Sequence, residues 1–262
     1  MNYLFSFRWF FNILFTNKNS SGKFNLDDPK TSEADWFFIS DIHGKWEGQM
    51  EAIFEKAKTE NKKVAFNPRE ASIREDSAEI IEAIGLCELV FVNKDEAVEI
   101  VTNMHVDADP ENVRDEKFLL EKLGSLEPKV IVLTDGTRGA WVSDGARIFH
   151  AKAGKVQAVD STGAGDSFTS AFLAAHIKGK ELSECLKWGI ANSANEVQFY
   201  GAIEGLLTED KMLEKIGGIE AEEVVAADRA QKTEEGVVSD STQKIEEVIV
   251  SDSAPKPDAT LV

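Results

Sequence analysis

The residues Val159-Asp160-Ser161-Thr162-Gly163-Ala164-Gly165-Asp166-Ser167-Phe168 carry the densest chemical signal in the chain. They run straight into the apolar stretch TSAFLAAHI, so the segment reads as a small-residue turn that opens a helix. The first turn of a helix leaves backbone N–H groups without intrahelical acceptors, and small side chains let an anion approach them. Asp166 stands in that first turn. A carboxylate there can serve as a simple cap, but capping does not require Gly163, Ala164 and Gly165 directly before it. The spacing suits a base held beside a bound phosphate. The string is not a P-loop, since no Lys-Ser or Lys-Thr follows the glycines. It is not a dinucleotide fingerprint either, because it lacks G-x-G-x-x-G.

The string resembles the D-[ST]-T-G-A-G-D signature of the PfkB/ribokinase family of carbohydrate kinases, and further matches follow in the family's order. Asn67-Pro68-Arg69 is similar to the N-x-R segment after a central strand. Asn93-Lys94-Asp95-Glu96 is similar to the N-x-x-E motif, and Thr134-Asp135-Gly136-Thr137-Arg138-Gly139 to the T-x-G-x-x-G turn. Ala191-Asn192 fits the A-N pair near the adenine pocket. Each short match alone reads equally well as a helix cap or a tight loop; their order beside the long string identifies the family over residues 34–207.

The resemblance implies a role for each matching position. Asp166 would take the proton of a sugar hydroxyl as it attacks the γ-phosphate of ATP, while the amides of Gly163, Ala164 and Gly165 hold the charge building on the transferring group. Glu96 would hold Mg²⁺ through water, with Asn93 supporting the phosphate and metal region. Thr134, Gly136 and Gly139 would line the nucleotide, and Asn192 would lie close to the base. Asp160 and Thr162 match positions that bind a monovalent cation, K⁺, in some members. The implied cofactors are therefore ATP, Mg²⁺ and K⁺.

The elements that must position these residues alternate. Short apolar runs at Trp36–Ser40, Lys63–Asn67, Leu89–Asn93 and Val130–Thr134 are separated by helical stretches over 46–60, 77–85 and 94–103. Strands alternating with helices predict an α/β fold: a doubly wound, mostly parallel sheet with helices on both faces, ribokinase-like by resemblance. Residues 140–143 and 146–151, joined by Asp144-Gly145, read as an appended hairpin. Helices are expected over 164–178 and 182–200.

The 262 residues carry 29 Lys and Arg against 47 Asp and Glu, a net charge of −18. An acidic chain of pI about 4.7 argues against nucleic acid as the partner. Cys87 and Cys185 cannot form a disulfide framework, which points to a cytoplasmic setting. His43, His105, His150 and His176 have no ligand spacing and suggest no zinc site.

Three regions are expected: an aromatic N-terminal segment and linker over 1–34, a kinase domain over 35–218 and a tail over 219–262. The run MNYLFSFRWFFNILF is too short for a membrane span and has Arg8 near its middle; it reads as strand material or a misassigned start rather than an interfacial anchor. The tail holds 11 acidic and 4 basic residues and repeats in twelves: AEEVVAADRAQK, TEEGVVSDSTQK and IEEVIVSDSAPK. It reads as a disordered acidic arm. The family's opening strand, Gly-Gly segment and sheet lid have no counterpart here, so the fold is expected to be N-terminally incomplete, with a homodimer or partner covering the exposed sheet. Three functions are weighed: a sugar kinase, a nucleoside kinase of the same superfamily, and a non-catalytic remnant that binds nucleotide or a partner.

Overall fold

The computed structural model describes residues 3–7, 11–15, 26, 29–40, 49–105 and 111–224. Nine strands form one sheet in strict sequence order: β1 (Tyr3–Phe7), β2 (Phe11–Phe15), β3 (Trp36–Ser40), β4 (Lys63–Asn67), β5 (Leu89–Asn93), β6 (Val130–Thr134), β7 (Ala140–Ser143), β8 (Ile148–Ala151) and β9 (Ala221–Val224). Strands β2 to β6 run parallel to one another, while β1 and β7 to β9 are antiparallel to their neighbours.

The burial of the parallel strands follows from alternation. Phe37 and Ile39 of β3, Val64 and Phe66 of β4, Val90 and Val92 of β5, and Ile131 and Leu133 of β6 face one core. The intervening residues Trp36, Phe38, Ala65, Leu89, Phe91, Val130 and Val132 face the other. Period-2 side chains that are apolar on both faces need cover on both. Helices α2 (Gln49–Thr59), α3 (Glu70–Glu75), α4 (Ser77–Gly85), α5 (Lys94–Asn103) and α6 (Glu116–Gly124) connect successive strands, and the first core packs against them. With the strand order never reversing, crossovers of one hand all fall on one face. The second face is covered by helices that follow the hairpin: α7 (Ala164–Ile177), α8 (Leu182–Glu196) and α9 (Glu209–Ile216). A short helix α1 (Pro29–Glu33) precedes β3.

The two ends of the sheet compare differently with the sequence expectation: the aromatic run read as strand material is strand, while the far edge recruits part of the expected tail. The aromatic N-terminal run supplies β1 and β2, and β2 continues the parallel register against β3 through Leu14 opposite Phe37. The edge expected to call for a partner is thus extended by the chain's own hairpin. At the far edge, Ala221–Val224, read as the start of the acidic tail, form β9 against β8. A four-residue acidic segment carries little strand signal of its own; the open edge of β8 supplies the hydrogen bonds. The rest of the tail and its repeats, residues 225–262, lies outside the described residues, as does His43.

Candidate active site

The four parallel strands β3 to β6 end on Ser40, Asn67, Asn93 and Thr134, a row of polar residues at the carboxyl edge of an otherwise apolar sheet. Ser40 lies opposite Asn67 and Asn93 opposite Thr134, while between the two pairs the row steps by two residues, since Phe66 lies opposite Val90 and the Asn67 side chain donates to the Phe91 carbonyl at 2.9 Å. In open α/β sheets this edge is where ligands bind.

Helix α7 opens onto the same edge. Gly163 stands at its N-cap with φ 92°, a left-handed conformation that glycine adopts without strain, and no side chain caps the helix. A Cβ on Gly163 would lie 2.7 Å from the Cβ of Ala202, so the close approach also demands glycine. The Ala164 N–H closes the turn by donating to the Ser161 carbonyl at 3.2 Å, which removes it from the set of free amides expected from sequence. The Gly163 and Gly165 amides have no acceptor among the described residues, and the space beside Gly165 is open. What remains is a smaller but unobstructed anion site.

Asp160 braces the loop. Its carboxylate accepts from the Thr162 amide at 2.9 Å and from the Gly201 amide at 3.2 Å, and these N–H groups hold its carboxyl below the usual carboxylate range. Asp166 extends from the first turn of α7 with its side chain largely exposed, and it forms an ion pair with Arg69. Arg69 follows β4 and also reaches the Ser40 hydroxyl, at 3.5 Å from Nε. One cation thereby ties the carboxyl edge of the sheet to the helix that carries the base.

The N-x-x-E segment is a helix cap in full. The Asn93 side chain accepts from the Glu96 amide at 2.9 Å, and the Asn93 amide donates to Glu96 Oε2 at 2.8 Å. Glu96 is 5% exposed. Its burial outweighs the Asn93 N–H and the Arg69 charge and pushes its carboxyl up to about 7. The T-x-G-x-x-G segment folds into a one-turn helix between β6 and β7. The Asp135 amide donates to the Gly139 carbonyl at 2.9 Å, and Gly139 has φ 100° with its Cα face against the Ala151 carbonyl. Gly136, with φ 45°, faces open space. Thr134 and Gly136 thus border the edge, whereas Gly139 is spent on closing the β6–β7 turn against the end of β8.

The model of the pfkB family carbohydrate kinases matches residues 16–209, about three quarters of the chain. The chain belongs to that family. Among its relatives, the ribokinase of Haemophilus influenzae is 30% identical over 165 residues, covering 63% of this chain and 51% of its own length. The cytidine kinase of Thermococcus kodakarensis is 33% identical over 142 residues, covering 53% of this chain and 47% of its own. A crystal structure of a ribokinase II from E. coli, in complex with ATP and Mg²⁺, superposes with a TM-score of 0.57 at 20% identity, over 71% of this chain and 59% of that one. The chain spans about half the length of these curated relatives.

Within this pfkB domain the predicted site residues divide into two groups. Gly163, Gly165, Asp166, Asn93, Glu96, Thr134 and Gly136 gather along the carboxyl edge and the opening of α7. Asn192 does not present a free donor: it is 4% exposed, its Nδ2 donates to the Ser167 carbonyl at 2.7 Å, and its Oδ1 accepts from the Leu207 amide at 2.9 Å. It stitches α8 to α7 and to the following loop. Thr162 contributes its backbone amide to Asp160.

No group of three or more His, Cys, Asp or Glu side chains that could hold a metal is found among the described residues. One carboxyl oxygen of Glu96 carries no hydrogen bond among the described residues, and a single protein carboxylate fits a Mg²⁺ that keeps waters and substrate phosphates as its other ligands. Two residues without an assigned role complete the site. Arg69 was visible only as part of a motif, and its partner lies 97 positions away. Glu196, buried beneath Gly163, gave no sequence signal beyond being a charged residue in a helix.

Proposed function

We propose that this chain carries the nucleotide and catalytic side of an ATP-dependent kinase that phosphorylates a hydroxyl of a sugar or nucleoside. The observation that carries this reading is Asp166, held by Arg69 at the mouth of an uncapped helix that offers free amides. A carboxylate is too weak a base to ionise an alcohol beforehand. Asp166 therefore accepts the proton late, once the acceptor oxygen is bonding to phosphorus, and the Gly163 and Gly165 amides hold the charge on the phosphoryl oxygens. Arg69 keeps the carboxylate turned towards the carboxyl edge, where the acceptor must enter. Glu96 would hold Mg²⁺, which when bound neutralises charge on the phosphates. Thr134 and Gly136 border the nucleotide, and Asp160 with its loop forms the support for a monovalent cation.

Relatives that phosphorylate sugars and nucleosides match this chain about equally well, so the acceptor class is open between the two. The non-catalytic reading is disfavoured by the Asp166–Arg69 pair, which is too exposed to serve stability. Among the described residues no helix is long and apolar enough to cross a membrane. Both cysteines are buried free thiols, which suits the cytoplasm. The test is transfer of radiolabelled γ-phosphate from ATP to panels of pentoses, hexoses and nucleosides, with Asp166→Asn as control. Transfer to one panel that the substitution removes supports the reading; ATP binding without transfer to any acceptor overturns it.

A further inference from the structure

The turn that follows β6 has little fixing of its own. Its one-turn helix, Gly136–Arg138, has no side-chain cap, and the two glycines within residues 136–139 both have positive φ. A side chain from α6 reaches it instead. Glu116, the first residue of that helix, is largely buried, and its Oε1 accepts from both Lys94 Nζ and the Arg138 guanidinium. Asp135 completes the group: Arg138 Nε donates to its Oδ2 at 2.8 Å, and Lys94 Nζ lies 3.4 Å from the same oxygen. Two cations thus share Glu116 Oε1 and Asp135 Oδ2. Lys94 also donates to the Arg114 carbonyl at 2.8 Å. The Arg138 carbonyl lies 3.0 Å from His150 Nε2, and its guanidinium stands 5.8 Å from the centre of the Trp141 ring.

The group joins two motifs. Lys94 stands between Asn93 and Glu96, and Arg138 stands in the turn that Gly136 opens. One carboxylate oxygen therefore ties together the two segments that must act on the same triphosphate. We infer that Glu116 is a positioning residue for the nucleotide, one that touches neither nucleotide nor acceptor and acts by setting residues 136–139 against the opening of α5. This rests on the kinase reading above, and it adds a residue that lies outside every motif of the sequence. Without Glu116, Lys94 and Arg138 face each other across Asp135 alone, and like charges push the turn away from α5. Partly exposed ion pairs add little to stability. The loss is therefore felt in where the turn sits rather than in whether the chain folds.

The experiment compares the full chain with Glu116→Gln. The amides of Asp135, Arg138 and Gly139 close the turn by hydrogen bonds within it, and their hydrogen exchange is expected to quicken about tenfold in the variant while the unfolding midpoint barely moves. The Kd for ATP with Mg²⁺, read by calorimetry, is expected to rise about tenfold. Glu116→Asp, which keeps the charge, is expected to recover part of both losses. Arg138→Gln is expected to add little on top of Glu116→Gln, because the two act through one contact. Exchange and Kd unchanged in Glu116→Gln overturn the inference. So does tighter binding of ATP, which would make Glu116 a restraint on cations that otherwise seek phosphate, and so does a loss of affinity matched by a fall in the midpoint, which would assign Glu116 to folding alone. Exchange and calorimetry need no phosphoryl transfer, so a kinase assay that fails leaves this test intact, whereas a wild type that binds no ATP overturns both readings.

Discussion

Asp166 and Arg69 form an exposed pair, and exposed ion pairs contribute only about 0–1 kcal/mol to stability. Their substitution therefore speaks to chemistry. Asp166→Asn is expected to lower turnover by about 10²–10⁴-fold with ATP binding largely retained, read by single-turnover transfer beside calorimetric titration. Arg69→Ala is expected to cost about 10–10²-fold in turnover by loosening the carboxylate, with partial recovery in Arg69→Lys, and little change in the unfolding midpoint. Glu96 behaves differently because it is buried. Its carboxyl, pushed up to about 7, is raised above its unfolded value, so the stability it contributes is present at low pH and lost as pH rises through about 7. Glu96→Gln keeps the cap and removes the titration. It is expected to match wild type near pH 4 and to exceed it at pH 8 by up to about 3 kcal/mol, the figure that a rise from 4.5 to about 7 corresponds to. Denaturant unfolding at the two pH values checks this. A proton on Glu96 also competes with Mg²⁺, so the apparent metal requirement in the transfer assay should rise as pH falls below about 7.

At the scale of elements, the turn between β6 and β7 is fixed by Gly139. Any Cβ there would meet the Ala151 carbonyl oxygen at 2.0 Å, and φ 100° is strained for other residues. Gly139→Ala is expected to cost at least about 2 kcal/mol, read as a lowered thermal midpoint, whereas Gly136→Ala, which faces open space, pays only for its backbone conformation. These elements also show what sequence could convey. The strands β3 to β6 and helices α4 and α5 were legible because their apolar runs and, for α5, the N-x-x-E cap of Asn93 are local in the chain. The anion turn was legible because its residues are contiguous. Arg69 opposite Asp166 was not, since only the crossing of β4 and α7 brings them together. The bonding of Asn192, expected close to the base, was not legible because its two partners, Ser167 and Leu207, are set by helix packing. Helices α6 and α9 and strand β9 are short and rich in charge, and tertiary contacts rather than periodicity hold them.

For the whole molecule, two cores share one sheet, and the second hangs on α7 and α8. Phe172 is fully buried there, edge-on to Phe91 at 5.5 Å between ring centroids and stacked on Phe168 at 6.1 Å. Phe172→Ala is expected to cost about 3–5 kcal/mol and to release α7 from the sheet, so transfer and stability should fall together; comparing unfolding with activity distinguishes this from the Asp166 substitution. The strict sequence order of the strands has a bearing on how the chain acquires its structure. Each parallel strand needs only the strand before it and the helix between, so the sheet can lengthen one unit at a time as the polypeptide leaves the ribosome. The helices of the second face are synthesised after the eight strands β1 to β8. Until they dock, one side of the nascent sheet is bare and the anion turn has nothing to rest on. Acquisition of the site is therefore tied to the end of synthesis, and a ribosome paused before residue 164 would display a sticky half-sheet in need of a chaperone.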